Sequence, residues 1–287
     1  MQLILELEKT HLKLSKAEAL AKINPKNYQL DENLLILETS SKSYIDLAYT
    51  KNVYQLNYEL ENLPTKIYVL KIKKAPNPKK LYEKIKGIKV DLTKPKQEIF
   101  LIGANKTYEA KRIWTRPSFE TRRAHLRQAK VSTSMHPKMA RAMVNLAKSN
   151  KIIDPFCGAG GILIEGLLTN KEVIGIDIDL KTLNKAKQNT SHLKGNKTFK
   201  NVDSTKIAIN DTIVTDPPYG RASKATDNTK KLIETILHNS NSKRAIICMP
   251  KEIKPQSTKY KEEESFDIYT HKSLTRTIRV YNSLILE

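Results

Sequence analysis

The sequence feature that most constrains the fold is an alternation of apolar runs with helical segments from Pro137 onward. Each apolar run is short enough for one strand, and the residues between successive runs have helical spacing. Strands that alternate with helices predict a mostly parallel sheet covered by helices on both faces. We therefore predict an α/β domain in this part of the chain. Its strands are predicted at KIID, EVIGID, KTFKNVD, TIVT and RAIICM.

Acidic residues stand where successive predicted strands end. Asp154, Asp177 and Asp203 close three of these strands, and Asp216 follows the strand TIVT. The carboxyl ends of parallel strands meet at one edge of a sheet, where open α/β sheets bind their ligands. The sequence therefore predicts a ligand site lined by carboxylates at that edge.

A glycine-rich turn, DPFCGAGG, follows the first of these strands. Its glycines, Gly158, Gly160 and Gly161, allow a sharp turn and a close approach of the backbone to a ligand. The turn lacks the GxGxxG spacing of dinucleotide sites and the GK[ST] ending of a P-loop, which argues against NAD chemistry and phosphoryl transfer. Asp154 would repel a phosphate but suits a ligand with an ammonium group and a ribose, such as S-adenosylmethionine. A purely structural strand–helix turn is the alternative.

Asp216, Pro217, Pro218 and Tyr219 form the sequence DPPY after the strand TIVT. The exocyclic amine of a nucleobase is a poor nucleophile, because its lone pair is delocalised into the ring. A carboxylate and an adjacent main-chain carbonyl could accept hydrogen bonds from such an NH2 group and favour a pyramidal, reactive geometry. Pro218 has no N–H donor to compete, and Tyr219 offers a flat face for a base taken out of its stack. The predicted mechanism is positioning plus electrostatics.

The N-terminal part has a different pattern, a small α+β arrangement that ends near Gly103. It predicts strands at LILEL, LLILET, YIDLAY, TKIYVLKIKK and EIFLIG, a serine-capped helix at SKAEALAKI and a glycine-stopped helix at PKKLYEKIKG. The predicted boundaries are an N-terminal region over residues 1–105, a basic linker over 106–130 and a second domain over 131–287. The arginine-dense stretch KRIWTRPSFETRRAHLRQAK is interpreted as a linker, a nucleic-acid contact or both, with an amphipathic helix packed on either domain as the alternative.

The charge balance indicates a polyanionic partner. Lys and Arg number 51 against 30 Asp and Glu, a net charge of +21, which fits binding to nucleic acid, although a solvated lysine-rich surface would give the same count. Cys157 and Cys248 are too few for a structural zinc site, so we expect no metal. No apolar run approaches the roughly 18 residues of a membrane span, and the first residues carry acids where a signal peptide carries bases. We expect a cytoplasmic protein, a monomer by default, with no membrane partner.

Three motifs carry a resemblance to known enzymes. DPFCGAGG, GIDID and DPPYG resemble the class I S-adenosylmethionine-dependent methyltransferases that act on exocyclic amines. More narrowly, HPKMARAMVNLA, VTDPPYGRAS and HKSLTRTIRVY resemble the archaeal tRNA guanosine-10 N2-methyltransferases. VDLTKPKQEIFLI resembles the end of a THUMP domain, the RNA-binding module of these enzymes. One departure is RQAKVSTSMHP, where that family usually has a stretch like RPFFHP.

The resemblance implies a Rossmann-like, mostly parallel seven-stranded sheet, preceded by a ferredoxin-like or THUMP RNA-binding region. It implies methyl transfer from S-adenosylmethionine to the N2 amine of a guanosine in tRNA, at position 10, giving N2-methyl- or N2,N2-dimethylguanosine. It places Asp177 on the cofactor's ribose and Asp203 on its adenine amine, and we interpret Arg276 as a phosphate contact. It implies that the target base is bound by Asp216, Pro217, Pro218 and Tyr219. It implies that the cofactor is bound by Asp154, Pro155, Phe156, Gly158, Gly160, Asp177, Ile178, Asp203 and Ser204.

Two other functions stay open at this point. DPPY serves any such amine, so methylation of adenine N6 or cytosine N4 in DNA or RNA is an alternative. The THUMP-like segment and the lack of a target-recognition insertion speak against it. A catalytically silent THUMP RNA-binding protein is the other, and the intact Asp154, Asp177 and Asp216 speak against that. A comparison of methyl incorporation into tRNA and into duplex DNA distinguishes tRNA methylation from the first alternative. Titration with the cofactor distinguishes an active enzyme from a silent RNA-binding protein.

Overall fold

The computed structural model describes residues 1–131, 134–219, 223–271 and 274–285. The chain divides into two compact domains, Met1–Pro117 and Ser118–Glu287. The predicted linker over 106–130 is therefore wrong in its bounds. Its first part is a strand of the first domain, Thr107–Thr115, and the part from Ser118 onward belongs to the second domain.

The first domain contains β1 (Gln2–Leu7), α1 (Leu12–Ile23), β2 (Tyr28–Asp31), β3 (Leu34–Glu38), β4 (Thr50–Gln55), β5 (Thr65–Lys71), α2 (Lys79–Lys84), β6 (Gln97–Gly103) and β7 (Thr107–Thr115). The strands form one sheet in the order β2-β3-β1-β4-β7-β6-β5. Only β5 and β6 pair in parallel, with α2 in the connection between them, and the other described pairs are antiparallel.

Alternation along the strands buries both faces of this sheet. In β1, Leu3, Leu5 and Leu7 belong to the core under α1, whereas Ile4 belongs to a second core on the other face. β6 alternates in the same way, because Phe100 joins the second core and Ile99 packs under α2. A period of two residues places successive side chains on opposite faces of a strand. The domain is therefore an α+β layer structure, as predicted.

Two local predictions for this domain are wrong. Ser15 does not cap α1, which begins at Leu12; the Ser15 hydroxyl instead donates to the His11 carbonyl at 2.9 Å from inside the helix. YIDLAY is not a strand, because Ser43–Asp46 forms a 3-10 turn. The predicted glycine stop after α2 is present as Gly87, at φ +91°.

The second domain contains α3 (Pro137–Leu146), β8 (Lys151–Asp154), α4 (Gly161–Leu167), β9 (Glu172–Ile176), α5 (Leu180–Thr190), β10 (Lys197–Lys200), β11 (Thr212–Thr215), α6 (Ser223–Asn239), β12 (Arg244–Pro250), β13 (Tyr260–His271) and β14 (Leu274–Ser283). Its sheet has the order β10-β9-β8-β11-β12-β14-β13, in which β14 runs opposite in direction to the other six strands. The predicted seven-stranded, mostly parallel sheet is confirmed. None of the described helices is long and apolar enough to cross a membrane.

The strand order reverses direction between β8 and β11. The chain moves outward from β8 through β9 to β10, and then returns to the other side of β8 to form β11 and β12. Such a reversal opens a crevice at the carboxyl ends of the two central strands, and open α/β sheets bind ligands there. Asp154 ends β8 and Asp216 follows β11, so both acids lie at this crevice.

The arginine-dense stretch before α3 packs on the second domain without forming an α-helix. Glu165 of α4, only 1% exposed, accepts hydrogen bonds from Arg122 Nε at 2.8 Å and from Arg141 Nε at 2.9 Å. Phe119 is buried with the Arg122 guanidinium 4.7 Å from its ring. Within the first domain, Arg112 and Arg116 pair with Glu98 and Glu8. Much of the charge in this stretch is therefore neutralised inside the protein.

Replacing Glu165 with Gln should cost about 3–5 kcal/mol of stability, because Arg122 and Arg141 would lose the buried carboxylate that compensates them. Urea denaturation measures this. The control is Glu172→Gln, because Glu172 pairs with Lys151 at an exposed site and such pairs contribute about 0–1 kcal/mol. Equal losses in the two variants would contradict a structural role for the Glu165 cluster.

Candidate functional site

Asp154 joins the ends of the two central strands. Its side chain is buried, and its Oδ1 accepts hydrogen bonds from the Thr215 hydroxyl at 2.6 Å and from the Phe156 backbone N–H at 3.1 Å. Thr215 is the last residue of β11, so the contact crosses the strand reversal. Burial raises the pKa of Asp154 to about 7, and the nearby carboxylates of Asp216 and Asp177 act in the same direction. This carboxyl group therefore titrates near neutral pH.

The glycine-rich turn presents bare backbone to open space. Gly158 has φ +52°, donates its N–H to Asp177 Oδ2 at 2.9 Å, and has no described atom within 4 Å of the position a Cβ would take. Gly160 has φ +83° and caps α4, where a Cβ would lie 3.2 Å from the Ala186 side chain. Both positions favour glycine for their backbone angle. The space above Gly158 is thus free for a ligand.

The turn after β9 is held by a residue that sequence reasoning missed. Asn201 donates two hydrogen bonds of 2.9 Å, to the carbonyls of Asp177 and Ile178. Asp177 Oδ1 also accepts the Asp179 N–H at 2.9 Å. Ile178 is 73% exposed, although it is apolar. A single asparagine after a strand has many uses, so the sequence contained no signal for this role.

Asp203 lies after β10 and begins a 3-10 turn. Its Oδ1 accepts hydrogen bonds from the Thr205 hydroxyl at 2.6 Å and from the Thr205 N–H at 3.0 Å. These bonds hold the pKa of Asp203 below its usual value, so the carboxylate is anionic. Ser204 beside it is buried. The charges of Asp177 and Asp216 act on Asp154, whereas Asp203 follows β10, one strand further out.

The DPPY turn is anchored at its second proline. The Pro218 carbonyl accepts the Thr229 hydroxyl of α6 at 2.8 Å, which fixes the turn against that helix. Pro217 is buried, Pro218 is exposed and Tyr219 is half-buried. The next three residues of the motif VTDPPYGRAS, 220–222, lie outside the described residues.

Arg276 is not at a phosphate-contacting surface, contrary to our interpretation of the sequence. It is 8% exposed, because β14 pairs on both sides, opposite Pro250 of β12 and Ile268 of β13. Its Nη2 lies 2.5 Å from Asp216 Oδ1, and its guanidinium lies 5.6 Å from the centre of the Tyr219 ring. No local pattern in the sequence signals this contact, because it depends on the register of β14.

The Asp216 carboxylate keeps hydrogen-bonding capacity. Its contact with Arg276 is an ion pair by distance. Among the described residues, however, Asp216 Oδ1 and Arg276 Nε and Nη2 have no partner in hydrogen-bond geometry. Burial raises the pKa of Asp216 above its usual value, while the Arg276 charge acts in the opposite direction. Oδ1 is buried against Arg276, but the Asp216 side chain as a whole is 21% exposed, so the second carboxylate oxygen can accept a hydrogen bond from a base stacked beside it.

Comparisons with known proteins show which proteins this chain is similar to. Residues 124–258 match a family described as an RMKL-like methyltransferase domain. The tRNA (guanine(10)-N2)-dimethyltransferase of Methanothermobacter thermautotrophicus is 36% identical over 214 residues, which are 68% of this chain and 63% of that protein. A relative from Methanothermococcus thermolithotrophicus is 34% identical over 161 residues, which are 50% of this chain and 97% of that relative.

A solved structure shares the fold. The crystal structure of TrmN from Thermus thermophilus has a TM-score of 0.58 and 16% identity to this chain, and the match covers 99% of this chain and 100% of that one. This chain spans 63% of the length of the Methanothermobacter relative and 97% of the Methanothermococcus relative. On the sequence matches, the chain belongs to the tRNA (guanine(10)-N2)-dimethyltransferase family.

Proposed function

We propose that the protein transfers methyl groups from S-adenosylmethionine to the N2 amine of guanosine 10 in tRNA, forming N2-methylguanosine and then N2,N2-dimethylguanosine. The observation that carries the proposal is the Asp216 carboxylate, which is held against Arg276 at Oδ1, keeps part of its side chain exposed and lies in the same turn as Tyr219. The Methanothermobacter relative is named for dimethylation at N2 of guanine 10 in tRNA, which is the same atom and the same nucleotide.

The residues at the crevice fit S-adenosylmethionine. The backbone at Gly158 is open on the side where a Cβ would stand, which allows a ligand to approach it closely, and the buried Asp154 carboxyl suits the cofactor's ammonium group. In this proposal Asp177 binds the ribose hydroxyls, and the exposed Ile178 covers one face of the adenine. Asp203 accepts from the adenine amine. The turn residues Pro155, Phe156, Gly160 and Ser204 line the remainder. When bound, the cofactor supplies an electrophilic methyl group.

Asp216 and the Pro217 carbonyl would accept the two N–H groups of the guanine amine. Two such acceptors pull the nitrogen towards a pyramidal geometry and free its lone pair from the ring. The nitrogen gains positive charge as the new N–C bond forms, and the Asp216 carboxylate stabilises that charge. The nitrogen has then become acidic and passes one proton to the Asp216 carboxylate, which returns it to solvent. After the first transfer, the remaining N–H still has an acceptor in Asp216.

Nucleoside mass spectrometry tests the proposal. Unmodified tRNA is incubated with the protein and methyl-labelled S-adenosylmethionine, and the label is expected in N2-methylguanosine and N2,N2-dimethylguanosine. The matched control is the same tRNA with adenosine at position 10, which should remain unlabelled. Label in another base would contradict the proposed substrate atom. No label from a protein that still binds tRNA would favour a silent RNA-binding protein.

The first domain is proposed to hold the tRNA through a lysine-rich surface around α2. The segment 66–96 contains eleven lysines and two acidic residues. Lys79, Lys80 and Lys86 are exposed and form no ion pair with any residue that the structure describes, and Tyr82 beside them is 53% exposed. Free lysines suit phosphate groups, and an exposed ring suits a stacked base.

Changing Lys79, Lys80 and Lys86 together to Gln should weaken tRNA binding and lower the slope of log affinity against log salt by about 2–3, roughly one for each phosphate that a lysine no longer neutralises. Filter binding at several salt concentrations measures this. The charge-matched control replaces Lys9, Lys13 and Lys26, exposed lysines before, within and after α1. If both triple variants lowered the slope equally, the α2 surface would have no special role.

A further inference from the structure

The only carboxylate that the structure pairs with the buried Arg276, among the described residues, is Asp216. The pair lies between strands far apart in the sequence, since Arg276 is in β14 and Asp216 follows β11. The same guanidinium faces the Tyr219 ring at 5.6 Å. One cation thus contacts both side chains that the proposed function assigns to the target base.

The surroundings of Asp216 disfavour its charge in every respect but one. Burial raises its pKa, and the other groups that face it are uncharged or negative: Cys248 of β12, Tyr219 of its own turn and Asp154 of β8. Burial also raises the pKa of the Cys248 thiol, so this neighbour is neutral. Within the described residues, Arg276 is the single positive charge at this carboxylate.

We propose that Arg276 is a positioning residue of the acceptor site, which keeps the Asp216 carboxylate ionised and fixes the Tyr219 ring beside it. The proposal rests on the proposed function for the identity of the amine that Asp216 accepts. A protonated Asp216 would present an O–H donor towards the N–H groups of the amine and would offer less negative charge to the nitrogen during methyl transfer. Arg276 holds Asp216 Oδ1 at 2.5 Å, which leaves the second carboxylate oxygen to accept a hydrogen bond from the amine.

The ionisation of Asp216 can be measured directly. Carbon-13 labelling of aspartate gives a carboxyl signal for Asp216, identified by its absence in Asp216→Asn. In Arg276→Gln the titration midpoint of this signal should rise by about 1–3 pH units, the range by which an adjacent guanidinium shifts a carboxyl group. Arg276→Lys retains the charge, and its midpoint should lie between those of the wild type and the Gln variant.

The matched control is Arg279→Gln. Arg279 lies three residues further along β14, is 7% exposed and pairs with Glu262 at 2.8 Å, so its replacement disturbs the same strand to a similar degree. Its substitution should leave the Asp216 midpoint unchanged. An unchanged midpoint in Arg276→Gln, or an equal rise in Arg279→Gln, would overturn the proposal.

A second readout uses unsubstituted Arg276 and so does not depend on the folding of its variants. The Nη protons of a guanidinium held against a carboxylate exchange slowly with water, and Asp216→Asn should accelerate this exchange at Arg276, whose Nη2 contacts Asp216. Equal exchange rates in the wild type and Asp216→Asn would also overturn the proposal.

Kinetics separates this inference from the proposed function. With tRNA and S-adenosylmethionine, the acid limb of kcat in Arg276→Gln should move to higher pH by the same amount as the carboxyl signal. A wild-type protein that methylates no guanosine would refute the proposed function. The carboxyl titration would then still test the effect of Arg276 on the ionisation of Asp216. An active wild type with identical pH profiles in both proteins would refute the inference alone.

Discussion

Asp216→Asn should lower the rate of methyl transfer to tRNA about a hundred- to a thousandfold, while the affinity for S-adenosylhomocysteine changes little. The expected magnitude is that of removing one preorganised electrostatic contact from a transition state. Asn keeps the size of the side chain but cannot compensate the positive charge on the attacking nitrogen. Single-turnover assays give the rate, and calorimetry gives the affinity.

The control for this substitution is Asp267→Asn. Asp267 lies in β13, is partly exposed and pairs with Lys251 at 2.6 Å, so it is outside the crevice. Its variant should retain the wild-type rate. A failure of Asp216→Asn to bind S-adenosylhomocysteine would mean that Asp216 belongs to the cofactor side of the crevice rather than to the acceptor side.

The affinity for S-adenosylhomocysteine should rise with pH up to about 7 and then level off. Burial raises the pKa of Asp154 to about 7, so the free protein carries a proton there in acidic solution. The ligand's ammonium group favours the ionised carboxylate, and binding below pH 7 therefore releases that proton. The expected slope is about tenfold in affinity for each pH unit below 7. Calorimetry at pH 5.5–7.5, in buffers with different ionisation enthalpies, measures both slope and proton release.

Two variants test the assignment of this slope to Asp154. Asp154→Asn should bind the ligand more weakly and with no pH dependence below 7. Asp203→Asn should also bind more weakly but keep the slope, because hydrogen bonds from Thr205 hold the pKa of Asp203 below its usual value. A slope that persisted in Asp154→Asn would assign the titration to another group.

The parallel part of the second sheet was predictable from sequence, because buried parallel strands are apolar runs separated by helices. KIID, TIVT and RAIICM form strands, and the predicted strands EVIGID and KTFKNVD form strands over Glu172–Ile176 and Lys197–Lys200. The last two strands, β13 and β14, were implied only by the resemblance to a seven-stranded fold and not by a local pattern. YKEEESFDIYTH is rich in charge and gains its strand conformation from pairing with β14. The same holds in the first domain for β7, whose arginines were interpreted as a linker.

The acids of the candidate site were predictable because each stands at the end of a strand, where chain direction alone places it. Arg276 was not, because its position depends on the register of an antiparallel strand near the end of the chain. Pairing opposite Pro250 brings it to the crevice. Contacts set by such long-range register have no local pattern. The acids at the crevice could therefore be predicted from the sequence, but the cation beside Asp216 could not.

The placement of β14 divides the crevice into parts of different origin. Asp154, Gly158, Asp177 and Asp203 come from one contiguous stretch of chain, whereas the acceptor side needs Arg276 from β14 beside Asp216. Contacts between distant segments close late in folding and open in separate cooperative units. Opening of the β13–β14 hairpin would remove Arg276 while leaving the cofactor side assembled. Hydrogen exchange should then detect a state in which the cofactor side stays folded while Asp216 has lost its contact with Arg276.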